Sequence, residues 1–342
     1  MYRSYMSALN NKLLNNSTPM TSEIETIVLV CAADNNYAMP LAVTARSVLE
    51  NLSCDYQIQL FIIDGGIADE NKRKIERSLD LNRCQIEFIP KPDLLLKVVQ
   101  DIINYLSKVT LQELQHVAGS VAAYYRLFIT ELLPHSIDRV IYLDCDLVVK
   151  ADLSKLWKAA FNDNYILAVQ DMWVPYVSSV KGVPYQKLGI SSGSKYFNSG
   201  VMVIDLQKWR ADGITTKAIE YLKTYQHDIR AHDQDVLNGL FADKWGELTP
   251  SWNLTPAIID LFSSWQESPF SESEYHQLID RPSIIHFATN RKPWNSRHAL
   301  FKNYFFEYVD KTAWAGWRLT LWKRLKITIN RECKKVSDAL NK

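Results

Sequence analysis

The sequence predicts an α/β fold with a doubly wound sheet flanked by helices. Its first apolar run, IETIVLVCAAD, is short and rich in β-branched residues, which is typical of a buried parallel strand. Strand and helix patterns then alternate along the chain, as they do in βαβ units. The chain has 342 residues, of which 47% are hydrophobic and 23% are charged, so we expect a soluble globular protein with a sizeable core.

The same periodicities predict the other elements in order. Helices are predicted at Met39–Leu52, Asp69–Leu79, Gly119–Leu132 and His232–Phe241. Strands are predicted at Ile58–Ile63, Gln85–Ile89, Arg139–Leu143 and Tyr165–Val169, within Phe197–Leu206, and at Ile284–Phe287. Because a doubly wound sheet binds ligands at the carboxyl ends of its strands, the polar residues at those ends are the candidates for chemistry.

The composition divides the chain into three parts. Residues 1–22 are polar and are expected to form a flexible leader, 23–300 the globular domain, and 301–342 a C-terminal helical segment. No apolar stretch approaches the roughly 20 residues of a membrane span, and the first residues lack the apolar core of a signal peptide. Five cysteines without a C-x-x-C pair argue against a zinc ribbon or a disulfide framework and favour the cytoplasm.

The C-terminal residues 311–342 are strongly basic. They contain nine Lys or Arg and two Asp or Glu, a net charge of +7, whereas the whole chain carries +1. On a helical wheel their basic side chains lie largely opposite an apolar face made of Trp314, Trp317, Leu321, Trp322, Leu325 and Ile329. Such an amphipathic helix favours peripheral contact with the inner face of the cytoplasmic membrane.

This segment has one other open interpretation. The helix could pack on the domain with its tryptophans buried, which requires no membrane. A nucleic-acid partner is not expected, because no nucleic-acid-binding motif accompanies the basic residues and the rest of the chain is acidic.

The strongest chemical signal is Asp144-Cys145-Asp146, at the end of the strand RVIYL. Residues two apart on an extended chain project to the same side, so the two carboxylates can share a divalent cation. Mg²⁺ and Mn²⁺ prefer oxygen ligands and bridge substrate phosphates. Asp144 could instead contact the nucleotide while Asp146 binds the metal. The simpler alternative is an Asp-x-Asp that only solvates a loop.

Two residues near the end of the domain add to this signal. His286 ends a late apolar strand and is a candidate metal ligand, and Lys292 could reach a diphosphate as a point charge. Their simpler interpretations are a core histidine with satisfied hydrogen bonds and a solvated surface lysine.

Polar residues also interrupt or open two apolar elements. Asp233-Gln234-Asp235 opens a helix, where acids lie at the positive end of the helix dipole. For Asp235 we favour a capping role without chemistry. Asn198-Ser199-Gly200 interrupts an apolar strand, which is also typical of a β-bulge.

Taken in order, these segments resemble glycosyltransferase family 8, retaining enzymes of GT-A fold that include bacterial lipopolysaccharide galactosyl- and glucosyltransferases. The resemblance runs from about Ile27 to Asn295. It implies a GT-A-type mixed sheet with a Rossmann-like nucleotide-binding half, a UDP-hexose donor, and Mn²⁺ or Mg²⁺ as cofactor. One departure is Thr289, where the family usually has a glycine that lets the backbone approach the phosphates.

The resemblance also implies roles for individual residues. Uracil and ribose would be held by Ala32, Asp34, Asn36 and Tyr37. The diphosphate and the metal would be bound by Arg126, Asp144, Cys145, Asp146, His286 and Lys292, with Asp144, Asp146 and His286 as the metal ligands. The donor sugar would be surrounded by the catalytic candidates Asp171, Asn198, Asp233 and Gln234.

The resemblance implies hexose transfer, with galactose or glucose moved from a UDP-sugar to a glycan or lipid-linked saccharide. Cell-surface polysaccharide or lipopolysaccharide synthesis is the expected setting. Gln234 would lie nearest the sugar face where a nucleophile is sought, and a neutral amide is a poor nucleophile. Front-face substitution is therefore favoured, and it requires no general base from the protein.

Two other functions are alternatives. A nucleotidyltransferase that makes sugar nucleotides also uses acidic metal ligands on a doubly wound sheet. It would be expected to have a Gly-rich phosphate loop where this chain has AADNNYAM. The other alternative is an inactive sugar-nucleotide-binding protein, but the chain retains both aspartates together with His286, Lys292 and Gln234.

Overall fold

The computed structural model describes residues 24–91, 121–179 and 181–320, together with Trp322. Its strands are β1 (Glu25–Ala33), β2 (Tyr56–Asp64), β3 (Cys84–Pro90), β4 (Arg139–Leu143), β5 (Leu147–Val149), β6 (Ile166–Gln170), β7 (Phe197–Asp205), β8 (Trp245–Glu247) and β9 (Ile284–His286). Its α-helices are α1 (Ala38–Asn51), α2 (Asp69–Arg77), α3 (Ile129–Leu132), α4 (Ser154–Trp157), α5 (Leu206–Ala211), α6 (Ile214–Tyr225), α7 (Asp233–Phe241), α8 (Ile258–Leu261), α9 (Glu272–Asp280) and α10 (Lys302–Val309). The predicted leader, residues 1–22, lies outside the described residues.

Seven strands form one mixed sheet in the order β3-β2-β1-β4-β7-β6-β8. Strands β1 to β4 are parallel where they pair, whereas β7 runs antiparallel to both β4 and β6. Strand β8 is parallel to β6. The predicted mixed, doubly wound sheet is therefore confirmed.

Strand β1 is central and is buried on both faces. Val28 and Val30 belong to the core that includes α6 and α7, whereas Ile27, Leu29 and Cys31 belong to the core that includes α1. Successive side chains of a strand point to opposite faces of the sheet. A strand covered by helices on both faces therefore needs apolar residues at every position, which explains its continuous apolar run.

The register between β6 and β7 shifts at Ala168 and Val169. Val169 pairs with Asn198, but Ala168 pairs with Met202, so the residues after Asn198 form an irregularity in β7. The interruption of the apolar pattern at this point is thus the β-bulge that the sequence allowed.

Strands β5 and β9 form a separate two-stranded antiparallel sheet. Local sequence patterns predict β9 but not β5. Their register pairs Leu147 with His286, and the Phe287 N–H donates to the Asp146 carbonyl oxygen at 2.9 Å. This small sheet therefore fixes His286 beside the Asp-x-Asp segment at the end of β4.

The sequence predicts an α-helix at Gly119–Leu132. Most of the part that the structure describes is instead a 3₁₀-helix. Val121–Phe128 forms a 3₁₀-helix, and only Ile129–Leu132 (α3) is α-helical. The consecutive side chains from Tyr124 to Ile129 are all buried. Packing on every side, and not helix propensity, therefore decides how this segment winds.

The predicted C-terminal helical segment, residues 301–342, is helical in α10 and at Trp322 but is corrected at residues 311–320. After α10, residues 311–320 form turns and irregular chain. Gly316 has a φ of +76°, a conformation that glycine adopts readily. Asp310 accepts hydrogen bonds from the Gly316 N–H at 3.0 Å and from Arg318 Nη1 at 2.9 Å, and these bonds stabilise the turn in place of a helix.

Two tryptophans of this segment pack on the domain. Trp314 packs against two of the hydrophobic cores, and the Trp317 ring stacks on Phe306 with centroids 6.4 Å apart. These two residues pack on the domain as the alternative expects, but they are only partly buried and the chain that carries them is not helical. Residues 321 and 323–342 lie outside the described part, and no described helix has the length and apolar character of a membrane span.

Candidate active site

A cleft of about 570 Å³ opens at the carboxyl ends of β1 and β4. A sheet of this topology binds ligands at this edge. The cleft is lined by Ala32, Ala33, Asp34, Tyr37, Ala122, Ala123, Arg126, Tyr142, Asp144, Cys145, Asp146 and Lys292. Most residues that the sequence analysis linked to nucleotide, diphosphate and metal therefore share one cleft.

Asp34 organises the turn that follows β1. Its Oδ1 accepts hydrogen bonds from the N–H groups of Asn36 at 2.9 Å and Tyr37 at 3.2 Å, which caps the short 3₁₀-helix Asn35–Tyr37. Burial raises the pKa of Tyr37, so its hydroxyl stays neutral. Tyr37 lines the cleft, whereas Asn36 is exposed and is not among the described residues that line it.

Asp144, Asp146 and His286 converge in a cluster that could hold a metal ion, with ligand atoms all within 4.8 Å of one another. His286 Nε2 lies 3.7 Å from Asp144 Oδ2 and 3.4 Å from Asp146 Oδ1, both longer than a typical hydrogen bond. Gly200 permits this approach, because a Cβ there would overlap the His286 ring and lie 2.9 Å from Asp144 Oδ2.

The donor atoms of this cluster fit a divalent cation. Carboxylate oxygens suit Mg²⁺ and Mn²⁺, and a neutral imidazole suits first-row metals. The other ring nitrogen of His286, Nδ1, lies 2.8 Å from Asn253 Oδ1. Metal-ligating histidines usually have such a second contact, which orients the ring.

Lys292 lies beside the same cluster. Its Nζ contacts the carboxylate of Asp146 and the carbonyl oxygen of Phe287. Burial alone would raise the pKa of Asp146, but the charge of Lys292 and the contacts with Lys292 and His286 outweigh it and hold that pKa well below its usual range. Asp146 is therefore ionised, which is the state that a metal ligand requires.

Arg126 connects this cluster to a second group of polar residues. Its side chain is buried and stacks on the Tyr142 ring, 4.3 Å from the centroid. Nη2 donates to Asp144 Oδ1 at 2.6 Å, and Nε lies 2.9 Å from Asp233 Oδ2. One guanidinium thus compensates the charge of two carboxylates that come from different elements.

The catalytic candidates Asp171, Asn198, Asp233 and Gln234 meet at the bulge of β7. Asp171 Oδ2 accepts hydrogen bonds from Asn198 Nδ2 at 3.0 Å and Gln234 Nε2 at 3.2 Å. Ser199 donates from its N–H to Gln234 Oε1 at 3.0 Å and from its hydroxyl to Asp233 Oδ2 at 3.2 Å. All four candidates therefore form one hydrogen-bonded group.

Asp233 and Asp235 are both buried but have different surroundings. Burial raises the pKa of Asp233 to about 6, although the charge of Arg126 opposes this shift. Asp235 accepts hydrogen bonds from the Tyr196 hydroxyl and the Arg230 N–H, each at 2.7 Å. Its carboxylate binds N–H groups of the turn before α7 and not those of the first helical turn, so the predicted capping role is corrected to stabilisation of that turn.

Cys145 and Thr289 have structural contacts. The Cys145 thiol is buried and donates to the Ala32 carbonyl oxygen at 3.2 Å, so its side chain packs on β1 while its neighbours face the cluster. Thr289 is partly exposed, and its Oγ1 accepts the N–H of Arg291 at 3.3 Å. A side chain thus stabilises the turn where the resemblance led us to expect glycine.

Ser199, Gly200 and Asn253 belong to the site although the sequence alone indicates no role for them there. A glycine within an apolar strand is a signal for close approach, and this signal was available at Gly200. Asn253 ends the 3₁₀-helix Pro250–Asn253, and no local pattern connects it with His286. Only the folded chain shows that these two residues meet.

The fold and the site together define a glycosyltransferase of GT-A architecture. The model of the glycosyl transferase family 8 matches residues 28–298. The chain belongs to this family, and the resemblance found in the sequence is confirmed.

Relatives and solved structures agree with this assignment. General stress protein A of Bacillus subtilis (strain 168) is 33% identical over 295 residues, which cover 85% of this chain and 95% of that protein. Lipopolysaccharide 1,2-glucosyltransferase of Escherichia coli (strain K12) is 27% identical over 299 residues, 85% of this chain and 79% of that protein. The galactosyltransferase LgtC, solved in complex with donor and acceptor sugar analogs, is 28% identical with a TM-score of 0.67, and the match covers 84% of this chain and 96% of that one.

Proposed function

We propose that the protein is a metal-dependent, retaining hexosyltransferase. It transfers galactose or glucose from a UDP-sugar to a glycan or lipid-linked saccharide in cell-surface polysaccharide or lipopolysaccharide synthesis. The observation that carries the proposal is the cluster of Asp144, Asp146 and His286 beside the cleft at the carboxyl ends of β1 and β4. The name of the Escherichia coli relative and the donor and acceptor analogs of LgtC support the class of substrate.

The nucleotide is held in this proposal by the turn after β1. Asp34 and Tyr37 line the cleft and offer a carboxylate and a neutral hydroxyl to ribose and uracil. Ala32 leaves room beside them, and Asn36 completes the turn from its exposed position. The parallel pairing of β1 with β4 puts this turn and the Asp-x-Asp segment at the same edge of the sheet.

The diphosphate is bound next to Asp144, Asp146 and His286. A divalent cation bound there would offset the negative charge that develops on the leaving diphosphate. Lys292 contributes a further positive charge within the same cleft. Arg126 compensates the charges of Asp144 and Asp233 and thereby keeps two buried acids close to the reacting bond.

The hexose is oriented by the group around the bulge of β7. Asp171 and Asp233 offer acceptors to sugar hydroxyls and negative charge to the oxocarbenium-like centre. Asn198 and Gln234 fix the Asp171 carboxylate by donating to the same oxygen. Since Gln234 is a neutral amide, the acceptor hydroxyl attacks the face that the diphosphate leaves, and a leaving-group oxygen takes its proton.

A UDP-release assay on the purified protein tests this proposal. UDP-galactose, UDP-glucose and UDP-N-acetylglucosamine are compared with Mn²⁺ and with EDTA. We expect release from UDP-galactose or UDP-glucose that depends on Mn²⁺, and an α-linked product by NMR when an acceptor is supplied. No release from any donor, together with no binding of UDP in the presence of Mn²⁺, would refute the proposal.

We also propose that the protein is cytoplasmic and contacts the inner face of the membrane through residues 311–342. The net charge of +7 in this segment supports contact with anionic lipid. Sedimentation with anionic and with neutral vesicles tests it, using the combined variant Lys323→Gln, Arg324→Gln and Lys326→Gln as the comparison. Equal sedimentation of wild type and variant with anionic vesicles would refute the contact.

A further inference from the structure

A chain of amide hydrogen bonds connects His286 with the residues proposed to hold the sugar. His286 Nδ1 lies 2.8 Å from Asn253 Oδ1, and Asn253 Nδ2 donates to Asn198 Oδ1 at 2.9 Å. Asn198 Nδ2 in turn donates to Asp171 Oδ2 at 3.0 Å. Asn253 and His286 are each 3% exposed, so water has little access to their contact.

The orientation of the Asn198 amide follows from two groups that it contacts, the Gly200 N–H and the Asp171 carboxylate. The Gly200 backbone N–H can only donate, and it lies 3.0 Å from an atom of the Asn198 side chain. That atom must therefore be the oxygen, which leaves the nitrogen of Asn198 to face the acceptor Asp171. The Gly200 N–H and the Asp171 carboxylate therefore require the same orientation of the Asn198 amide.

The orientation of Asn253 follows in the same way. Since Asn198 presents an oxygen, the atom of Asn253 that approaches it must be the nitrogen. The remaining atom of the Asn253 amide is its oxygen, which only accepts. His286 Nδ1 must therefore carry a hydrogen, and in the neutral ring Nε2 is left with a lone pair that faces Asp144 and Asp146.

We propose that Asn253 is a positioning residue that holds His286 in the Nδ1–H tautomer, with Nε2 free to bind a metal. Asn198 holds Asn253 in the required orientation and is itself held by Gly200 and Asp171. The inference rests on the proposed metal site and deepens it. Asn198, in the group proposed to hold the sugar, determines through Asn253 how His286 is oriented as a metal ligand. The loss of an outer hydrogen-bond partner of a metal-binding histidine typically lowers metal affinity by about 10–100-fold.

The test begins with the tautomer in the wild-type protein without metal. Long-range ¹H–¹⁵N NMR of protein labelled in histidine distinguishes the two neutral tautomers at alkaline pH. The His286→Gln variant assigns the signal among the seven histidines. We expect His286 to be protonated on Nδ1, and protonation on Nε2 would overturn the inference without any variant of Asn253.

The second part measures Mn²⁺ affinity by EPR in two variants. Asn253→Leu removes the acceptor, and we expect a dissociation constant about 10–100-fold higher together with loss of the Nδ1–H preference. Asn253→Asp keeps an acceptor for Nδ1–H but cannot donate to Asn198, so we expect near wild-type affinity and a lower kcat. Wild-type affinity and tautomer in Asn253→Leu would overturn the inference.

Asn51→Leu is the matched control. Asn51 donates to the carbonyl oxygens of Ser47 and Val149 and to the Tyr308 hydroxyl, at the end of β5 away from Asp146. We expect this variant to lose stability but to keep the Mn²⁺ affinity of the wild type. If the wild type itself binds no Mn²⁺, the proposed function fails, while the tautomer measurement still decides the inference.

Discussion

The two sides of the site hold their carboxylates in different ways. On the metal side, formed by Asp144, Asp146, His286 and Lys292, the contacts are mainly between charged groups. On the sugar side, formed by Asp171, Asn198, Asp233 and Gln234, most contacts are hydrogen bonds from amides and a hydroxyl. The charged contacts of the metal side suit it to binding charged ligands. The directional hydrogen bonds of the sugar side suit it to holding its side chains in fixed orientations.

Asp146 and Asp233 make the difference clear, because both are almost fully buried. The pKa of Asp146 is held well below its usual range because the charge of Lys292 and the contacts with Lys292 and His286 outweigh burial. The pKa of Asp233 is raised to about 6 because burial outweighs the charge of Arg126. Burial alone therefore does not predict the charge of an acid, and the partners of each acid decide it.

The largest expected effect comes from the Asp146→Asn variant, which removes a charged ligand from the metal side. The variant keeps nearly the same volume but loses an anionic oxygen beside Lys292. We expect Mn²⁺ binding to be lost and the rate of UDP release to fall by about 10³-fold or more. Equilibrium dialysis and the UDP-release assay measure the two effects.

The control for this variant is Asp152→Asn. Asp152 accepts the Ser154 N–H at 2.9 Å and lies outside the cleft lining. We expect its Mn²⁺ affinity and activity to match those of the wild type. Retention of Mn²⁺ binding by Asp146→Asn would contradict the assignment of the metal side.

The next effect concerns the sugar side and its dependence on pH. Because the pKa of Asp233 is raised in the fold to about 6, its contribution to stability is fully present below its ordinary pKa of about 3.8 and is lost as the pH rises through about 6. In Asp233→Asn this dependence is absent. We expect the unfolding free energy of the wild type, relative to the variant, to fall by up to about 3 kcal/mol between pH 4 and 7.

Urea unfolding of both proteins across this pH range measures the difference. The activity of the wild type should fall below a pH of about 6, because the protonated Asp233 no longer supplies negative charge to the reaction centre. A difference in unfolding free energy that is constant with pH would show that Asp233 titrates as it does in the unfolded chain.

A smaller effect is expected from Gly200→Ala, at the boundary between the two sides. The added Cβ would overlap the His286 ring and approach Asp144 Oδ2, so the ring must shift. We expect a loss of about 1–3 kcal/mol in unfolding free energy and weaker Mn²⁺ binding. Gly193→Ala is the control, since a Cβ there has only the Ser191 hydroxyl within 4 Å, at 3.8 Å. Unchanged Mn²⁺ affinity in Gly200→Ala would show that the ring adapts freely.

The parallel half of the sheet could be predicted almost completely from the sequence. Strands β1, β2 and β3 with α1 and α2 repeat a strand and helix alternation that local patterns reveal. The segment Val121–Phe128 could not be predicted in type, because its winding depends on packing from every side. The turns of residues 311–320 escaped prediction because the contacts of Asp310 outweigh the amphipathic pattern.

The residues of the site likewise divide into those that local sequence patterns predict and those that depend on contacts in the folded chain. Asp144 and Asp146 are close in sequence, so their spacing on an extended chain already predicts a shared ligand. Local patterns already pointed to His286 and Gln234, whereas Asp171 could be named only through the family resemblance. The contacts of all three are known only from the fold. Asn253 belongs to neither group, since its contact with His286 depends on β9 and on a 3₁₀-helix far away in the sequence.

The smallest expected effect lies where the sugar side opens to solvent. The Trp173 N–H donates to Asp171 Oδ1 at 2.8 Å, and the Trp173 side chain is 49% exposed. If Asp171 orients the donor sugar as proposed, the exposed ring of Trp173, two residues further along the chain, would offer a stacking surface to an acceptor saccharide. We expect Trp173→Ala to raise the KM for the acceptor by about 3–10-fold and to leave UDP release without acceptor unchanged.

This last variant separates donor binding from acceptor binding on the sugar side. Leu81→Ala is the control, since Leu81 is 58% exposed, precedes β3 and is not among the residues that line the cleft. If Trp173→Ala instead lowers UDP release without acceptor, the ring acts through Asp171 on the donor sugar. In that case the loop that carries Trp173 stabilises the sugar side together with the amides of Asn198 and Gln234. The acceptor must then bind elsewhere along the cleft.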